Sequence, residues 1–230
     1  MVSLLHRELK FFFTSPLLIS LELAPVILIM ILNITKSLQD IIPKELLPVV
    51  WLAIIFYSTY FELELWRKTF LSKGFKLRVY SSSSPYVPFL MHCIVSLVLL
   101  ELKTLVFILP YLLGNGLQNP LMFIIATHVN WLFFLSIGTI LSQDVFNKMA
   151  DPVANFLCIL IFSVIALLII NSKTGSASVS LEKHWPAFIP SSSEVPPEST
   201  TIIFLISLVL FAIAVYANSS IAKHLLLGSS

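Results

Sequence analysis

Charged side chains are scarce in this chain of 230 residues, since Asp, Glu, Lys and Arg together supply only 11% of it. A typical soluble domain carries about 25%. Hydrophobic residues supply 57%, and the mean hydropathy is +0.95. The composition therefore excludes an ordinary water-soluble domain and favours a protein whose solvent is the lipid bilayer.

Glycine and cysteine are scarce as well, with six and two copies. The sequence has no glycine-rich phosphate loop, no H-E-x-x-H zinc motif and no G-x-S-x-G nucleophile motif. We therefore expect a chain that is not an enzyme, with no catalytic residue, no metal site and no nucleic-acid partner. Any ATP hydrolysis would belong to a separate polypeptide. Cys93 and Cys158 both fall in apolar runs, where a thiol packs as a small apolar side chain.

Six apolar runs are near the length of about 20 residues that a transmembrane helix needs. They cover residues 16–34, 46–61, 87–113, 120–141, 152–170 and 200–217. The sequence thus predicts an all-α, polytopic membrane protein with a single transmembrane domain over 1–230. Residues 3–14 mix apolar and charged side chains at helical spacing and predict an N-terminal interfacial helix. No small-residue cleavage site follows the first apolar run, so we expect no removed signal peptide.

A basic cluster follows the second apolar run and predicts a cytoplasmic loop. Its members are Arg67, Lys68, Lys73, Lys76 and Arg78. Apolar side chains interleave with them on one helical face. The loop is therefore interpreted as a lipid-headgroup patch, a topology signal, or an amphipathic helix that docks on a cytoplasmic protein. The docking candidates are Trp66, Arg67, Lys68, Phe70, Gly74, Lys76 and Leu77.

Polar side chains inside the third run are the first candidates for a substrate path, because ionisable groups are costly at membrane depth. At about 100° per residue, His92, Ser96 and Lys103 share one helical face, whereas Glu101 lies nearly opposite. The alternative interpretation is that Lys103 and Glu101 pair with neighbouring helices or reach the membrane surface.

His128, in the fourth run, is a further path candidate. A histidine at this depth can ligate a haem iron, relay protons or bond a neighbouring helix. Glu22, in the first run, needs a cationic partner, and Lys103 is the partner we expect.

The order of these elements resembles that of ABC-2 type permeases, whose first cytoplasmic loop couples to an ATPase. Within that group, Pro48 and Trp51 at the start of the second run, followed by Glu64 and Gly74, are similar to the haem exporter protein B (CcmB) family of cytochrome c maturation. The likeness covers about residues 1 to 170. Three positions depart from the family's pattern and invert the charge of the loop: Leu65, Lys73 and Leu77.

The resemblance implies a membrane subunit that works with a cytoplasmic ATP-binding subunit and with other membrane proteins of cytochrome c maturation. Haem would then be a transported or handled ligand rather than a resident cofactor. Two alternatives stay open: an ABC-2 type exporter of a lipid or drug, and a non-transporting membrane scaffold.

Lys and Arg are distributed unevenly between the predicted loops, in a ratio of roughly two to one, which predicts both termini on the cytoplasmic or matrix side of a bacterial or mitochondrial inner membrane. The segment 171–199 would then lie outside. Cysteine labelling of intact vesicles tests this orientation, because Ser191→Cys should react with an impermeant reagent added outside and Ser81→Cys should not. Protection of Ser191→Cys would contradict the predicted topology.

Overall fold

A computed structural model describes four helices of the chain. They are α1 (Leu47–Phe70), α2 (Val87–Leu113), α3 (Pro120–Leu141) and α4 (Pro197–Leu227). Outside them it describes only residues 6, 10, 23, 24, 26–28, 31, 84 and 86. Every regular element in these described residues is helical and none is a strand, as the all-α prediction requires.

Three helices are long and apolar enough to cross a membrane. These segments are Val87–Phe107, Pro120–Ile140 and Thr200–Ser219, and α1 adds a shorter apolar segment, Val50–Tyr60. The bounds of α2 and α3 coincide with the predicted third and fourth spans, and α4 contains the predicted sixth. The predicted interfacial helix and the spans 16–34 and 152–170 lie outside the described residues, apart from the scattered positions given above.

Helix α1 is longer than the predicted second span, which ended at residue 61. It continues without a break through Glu62 and the first basic residues to Phe70. The segment from Glu62 onwards consists largely of strong helix formers, with no glycine or proline before Gly74. The charged residues therefore extend the helix instead of ending it.

Helix α3 is the centre of the described bundle, since α1, α2 and α4 all pack against it. A stack of aromatic rings joins α3 to α1 and α2. Trp51 lies on Phe107 with ring centroids 4.2 Å apart, and Phe107 lies parallel to Phe123 at 5.7 Å. Such rings bury large apolar areas in a defined geometry, so the stack fixes how the three helices face one another.

Helix α4 packs with small and polar side chains and exposes large apolar ones. Its buried side chains include Thr200, Ser207, Ala214 and Asn218, which recur at helical spacing. Its outward side chains include Ile202, Leu205, Val209 and Tyr216, each more than half exposed. Small residues let helices approach closely in a membrane, where lipid solvates the apolar residues on the other face. This distribution is typical of a membrane helix.

Two alanines of α4 test which face packs. Ala214 is fully buried and Ala212 is exposed. Ala214→Leu should lower the free energy of unfolding by about 1–3 kcal/mol, because the added carbons overfill the contact with neighbouring helices. Ala212→Leu, the matched control, should leave it unchanged. Thermal unfolding in mild detergent measures both, and equal effects of the two substitutions would contradict the assigned face.

Candidate functional site

The inner face of α2 carries the three polar side chains that the sequence groups together. His92, Ser96 and Lys103 are all buried, at 1%, 1% and 2% exposure, whereas Glu101 is exposed on the other side of the helix. The helical-wheel argument therefore identifies the buried polar face of α2. Their use as a substrate path stays a prediction.

Lys103 forms a buried ion pair with Glu62 of α1. The ammonium Nζ lies 3.2 Å from Glu62 Oε1, and both side chains are almost fully enclosed. Ser58, one turn before Glu62, accepts a hydrogen bond from Lys103 Nζ and donates one to Glu62 Oε1 at 3.1 Å. The three groups form a closed polar cluster just past the middle of both helices, which we call the charged core.

Sequence reasoning missed Glu62, because it assigned this residue to the charged loop. It expected Glu22 to be the partner of Lys103, and Glu22 lies outside the described residues. A usable signal was present: Trp51, Ile55, Ser58 and Glu62 are spaced by four, three and four residues, which places them on one face of a continuous helix. Extending the helical period past residue 61 would have predicted Glu62 to be buried.

The charged core makes the contact between α1 and α2 depend on both partners. Burying an ion costs free energy because the ion loses its hydration. The attraction between opposite charges offsets this cost only when both charges are present. The interaction is strong because the surroundings are apolar and exclude water. We infer that neither helix can move along the other without stretching this pair.

Two tryptophans form hydrogen bonds between α3 and its neighbouring helices. Trp51 Nε1 of α1 donates to Thr127 Oγ1 at 3.0 Å, and Trp131 Nε1 donates to Ser96 Oγ of α2 at 3.0 Å. Both bonds are buried, so each satisfies an indole N–H that would otherwise be costly in an apolar interior. Ser96, a predicted path residue, thus contributes to helix packing.

His128 bridges α3 and α2 at the exposed side of the bundle. Its Nε2 lies 2.7 Å from Glu101 Oε1, and its Nδ1 lies 2.7 Å from the carbonyl oxygen of Ile124. Both partners are oxygens, so two simultaneous hydrogen bonds require a hydrogen on both ring nitrogens or on the carboxyl group. This contact matches the interpretation of His128 as an interhelical hydrogen-bonding residue; its use on a substrate path stays a prediction.

An open cleft of about 550 Å³ lies beside this pair, between α2, α3 and α4. Its lining is almost entirely apolar, apart from Glu101, His128 and two threonines of α4. We call it the lateral cleft. Its size is in the range of ligand sites, about 300–1,000 Å³.

The predicted docking residues are only partly described. Trp66, Arg67, Lys68 and Phe70 belong to the last turns of α1, whereas Gly74, Lys76 and Leu77 lie outside the described residues. Among the described residues, no three His, Cys, Asp or Glu side chains converge as metal ligands.

Comparisons with protein-family models, with curated proteins and with solved structures gave no match to this chain. The functional assignment therefore depends on the residues and their geometry.

A double-substitution cycle tests the charged core. Lys103→Met should lower the free energy of unfolding by about 3–5 kcal/mol, because it leaves the Glu62 carboxylate buried without its cation. Adding Glu62→Met should restore much of this loss, since two apolar side chains then fill the space. Thermal unfolding of the purified protein measures the cycle.

The matched control for this cycle is Leu105→Met on the same helix. Leu105 is 65% exposed, so the exchange of one apolar side chain for another should leave the free energy of unfolding nearly unchanged. Additive losses from Lys103→Met and Glu62→Met would show that the two side chains do not act as a pair.

Proposed function

We propose that this chain is the membrane-spanning subunit of an ABC-type transporter, and that it takes part in haem export or delivery for cytochrome c maturation. In this proposal it has six spans, an N-terminal interfacial helix and a coupling helix, and it lies in a bacterial or mitochondrial inner membrane. A separate ATP-binding subunit hydrolyses ATP. Other membrane proteins of cytochrome c maturation receive or supply the haem.

The continuity of α1 is the observation that supports this proposal most. One helix carries the Trp51 contact with α3, then Glu62 of the charged core, then the start of the basic cluster at Arg67 and Lys68. Helices are stiff on this length scale, and sharp kinks need a proline, a glycine or a bulge. A force applied to the basic end would therefore reach Glu62 directly.

The charged core then serves as the element that responds to the partner. Docking of the ATP-binding subunit near Phe70 displaces α1 along its axis. Either α2 moves with α1 and the Lys103–Glu62 pair stays intact, or the pair separates. Because packed interfaces adopt discrete arrangements, a small displacement at the docking end shifts the bundle between two states. His92 lies on the same face of α2 as Lys103 and would be uncovered by such a shift.

The lateral cleft favours the second candidate, an ABC-2 type exporter of a lipid or drug. The cleft is open and its lining is almost entirely apolar, which suits a lipophilic molecule. Both candidates share the same coupling through α1 and differ in the substrate.

Co-purification with the ATP-binding subunit tests the proposal. Trp66→Ala with Phe70→Ala should abolish co-purification at both low and high salt, because truncating apolar anchors of an interface costs on the order of 2 kcal/mol each. Lys68→Gln with Lys76→Gln should weaken it mainly at low salt, since exposed charges act chiefly on the association rate. Mass spectrometry of the detergent-purified complex identifies what binds.

Tyr216→Ala is the control for this experiment, because it truncates an aromatic side chain that is 73% exposed on α4. It should leave the partner bound. If the double alanine variant keeps its partner and only the double glutamine variant loses it, the basic segment is an electrostatic patch and the coupling helix is wrong. A wild-type preparation without any ATP-binding protein would contradict the ABC assignment itself.

A further inference from the structure

The lateral cleft combines an apolar lining with one carboxylate. Glu101 of α2 contributes that carboxylate, and its side chain is 54% exposed although it lies within the apolar segment Val87–Phe107. An ionisable group in such a segment is costly and therefore marks a functional position by default. His128 holds one oxygen of the carboxylate at 2.7 Å and so orients it beside the cleft.

Two aromatic side chains, Trp131 and Phe204, line the cleft. Trp131 contributes to the wall, and its indole N–H is already donated to Ser96, which fixes the ring. Phe204 of α4 lines the cleft as well. Ring faces attract cations through their quadrupole, most strongly for tryptophan.

We propose that the lateral cleft is a binding site for lipophilic cations, molecules with an apolar body and a single positive charge. The body occupies the apolar space of about 550 Å³, and the positive charge lies near the Glu101 carboxylate. The contact with His128 involves only Oε1 of the carboxylate, so the second oxygen remains available to attract a positive charge. With both hydrogen bonds of His128 made, a doubly protonated ring balances the charge of the carboxylate, so the preference is local: the positive charge lies against the oxygen that His128 does not contact, where an anion of the same shape would be repelled.

The site is distinct from the charged core. Glu101 and Lys103 lie on opposite sides of α2, one exposed and one buried. Binding in the cleft therefore leaves the Lys103–Glu62 pair intact, and it depends neither on an ATP-binding partner nor on haem. A phospholipid acyl chain is the competing occupant, and it would need no carboxylate.

Two probes of nearly equal shape and opposite charge test the proposal: tetraphenylphosphonium and tetraphenylborate. Equilibrium dialysis of the radiolabelled probes against the purified full chain in mild detergent, with empty micelles as blank, measures binding. The phosphonium should bind saturably, and the borate should show no saturable binding. Glu101→Gln should weaken phosphonium binding by at least tenfold, whereas Glu101→Asp should keep it within a few-fold of wild type.

Two tryptophan substitutions separate the cleft from the general surface. Ile125→Trp fills the cleft and should abolish binding, whereas Leu205→Trp adds the same bulk on an exposed part of α4 and should leave it unchanged. Size-exclusion chromatography checks that each variant stays folded. If Ile125→Trp does not fold, the comparison of Glu101→Gln with Glu101→Asp tests the proposal instead. Absence of saturable phosphonium binding, equal binding of both probes, or full binding by Glu101→Gln would each overturn the proposal.

Discussion

The Lys103–Glu62 ion pair is the interaction on which the arrangement of α1 and α2 depends. Both charges are enclosed by apolar helices, so each is tolerable only while the other is within reach. A buried pair with a bridging serine defines one register of the two helices, because sliding one helix along the other would separate the two charges. The aromatic stack on Trp51 and the two indole hydrogen bonds then attach α3 to α1 and α2 in that register.

The described bundle differs from a soluble protein in its surface, because apolar side chains cover the outside as well as filling much of the interior. Lys103, Glu62 and several hydroxyl groups lie in the interior, where Ser58, Ser96 and Thr127 link neighbouring helices, and large aliphatic side chains of α4 lie outside. In water this surface would cause aggregation, since exposed apolar patches of this size mark interaction sites or aggregation hazards. In a bilayer the same surface is solvated by lipid, and polar groups between helices supply specificity that apolar contacts lack.

The two polar sites of α2 suggest separate roles. Lys103 faces inward to α1, the helix on which the basic cluster begins with Arg67 and Lys68, so it is suited to transmit a displacement. Glu101 faces outward to an open cleft, so it is suited to contact a molecule arriving from the membrane. Glu101 and Lys103 are two residues apart, and a helix turns by about 100° per residue, so the two side chains lie on opposite faces of one helix.

Composition and helical periodicity alone predicted the all-α class, the bounds of α2 and α3, and the shared face of His92, Ser96 and Lys103, because these features depend on local spacing and hydrophobicity. The partner of Lys103 needed the tertiary structure. Glu62 lies 41 residues from Lys103 in the sequence. A local sequence pattern does not show which buried carboxylate contacts a given ammonium group on another helix. The lateral cleft likewise exists only where three helices meet, so its volume and its Glu101–His128 pair follow from packing distances that no single helix determines.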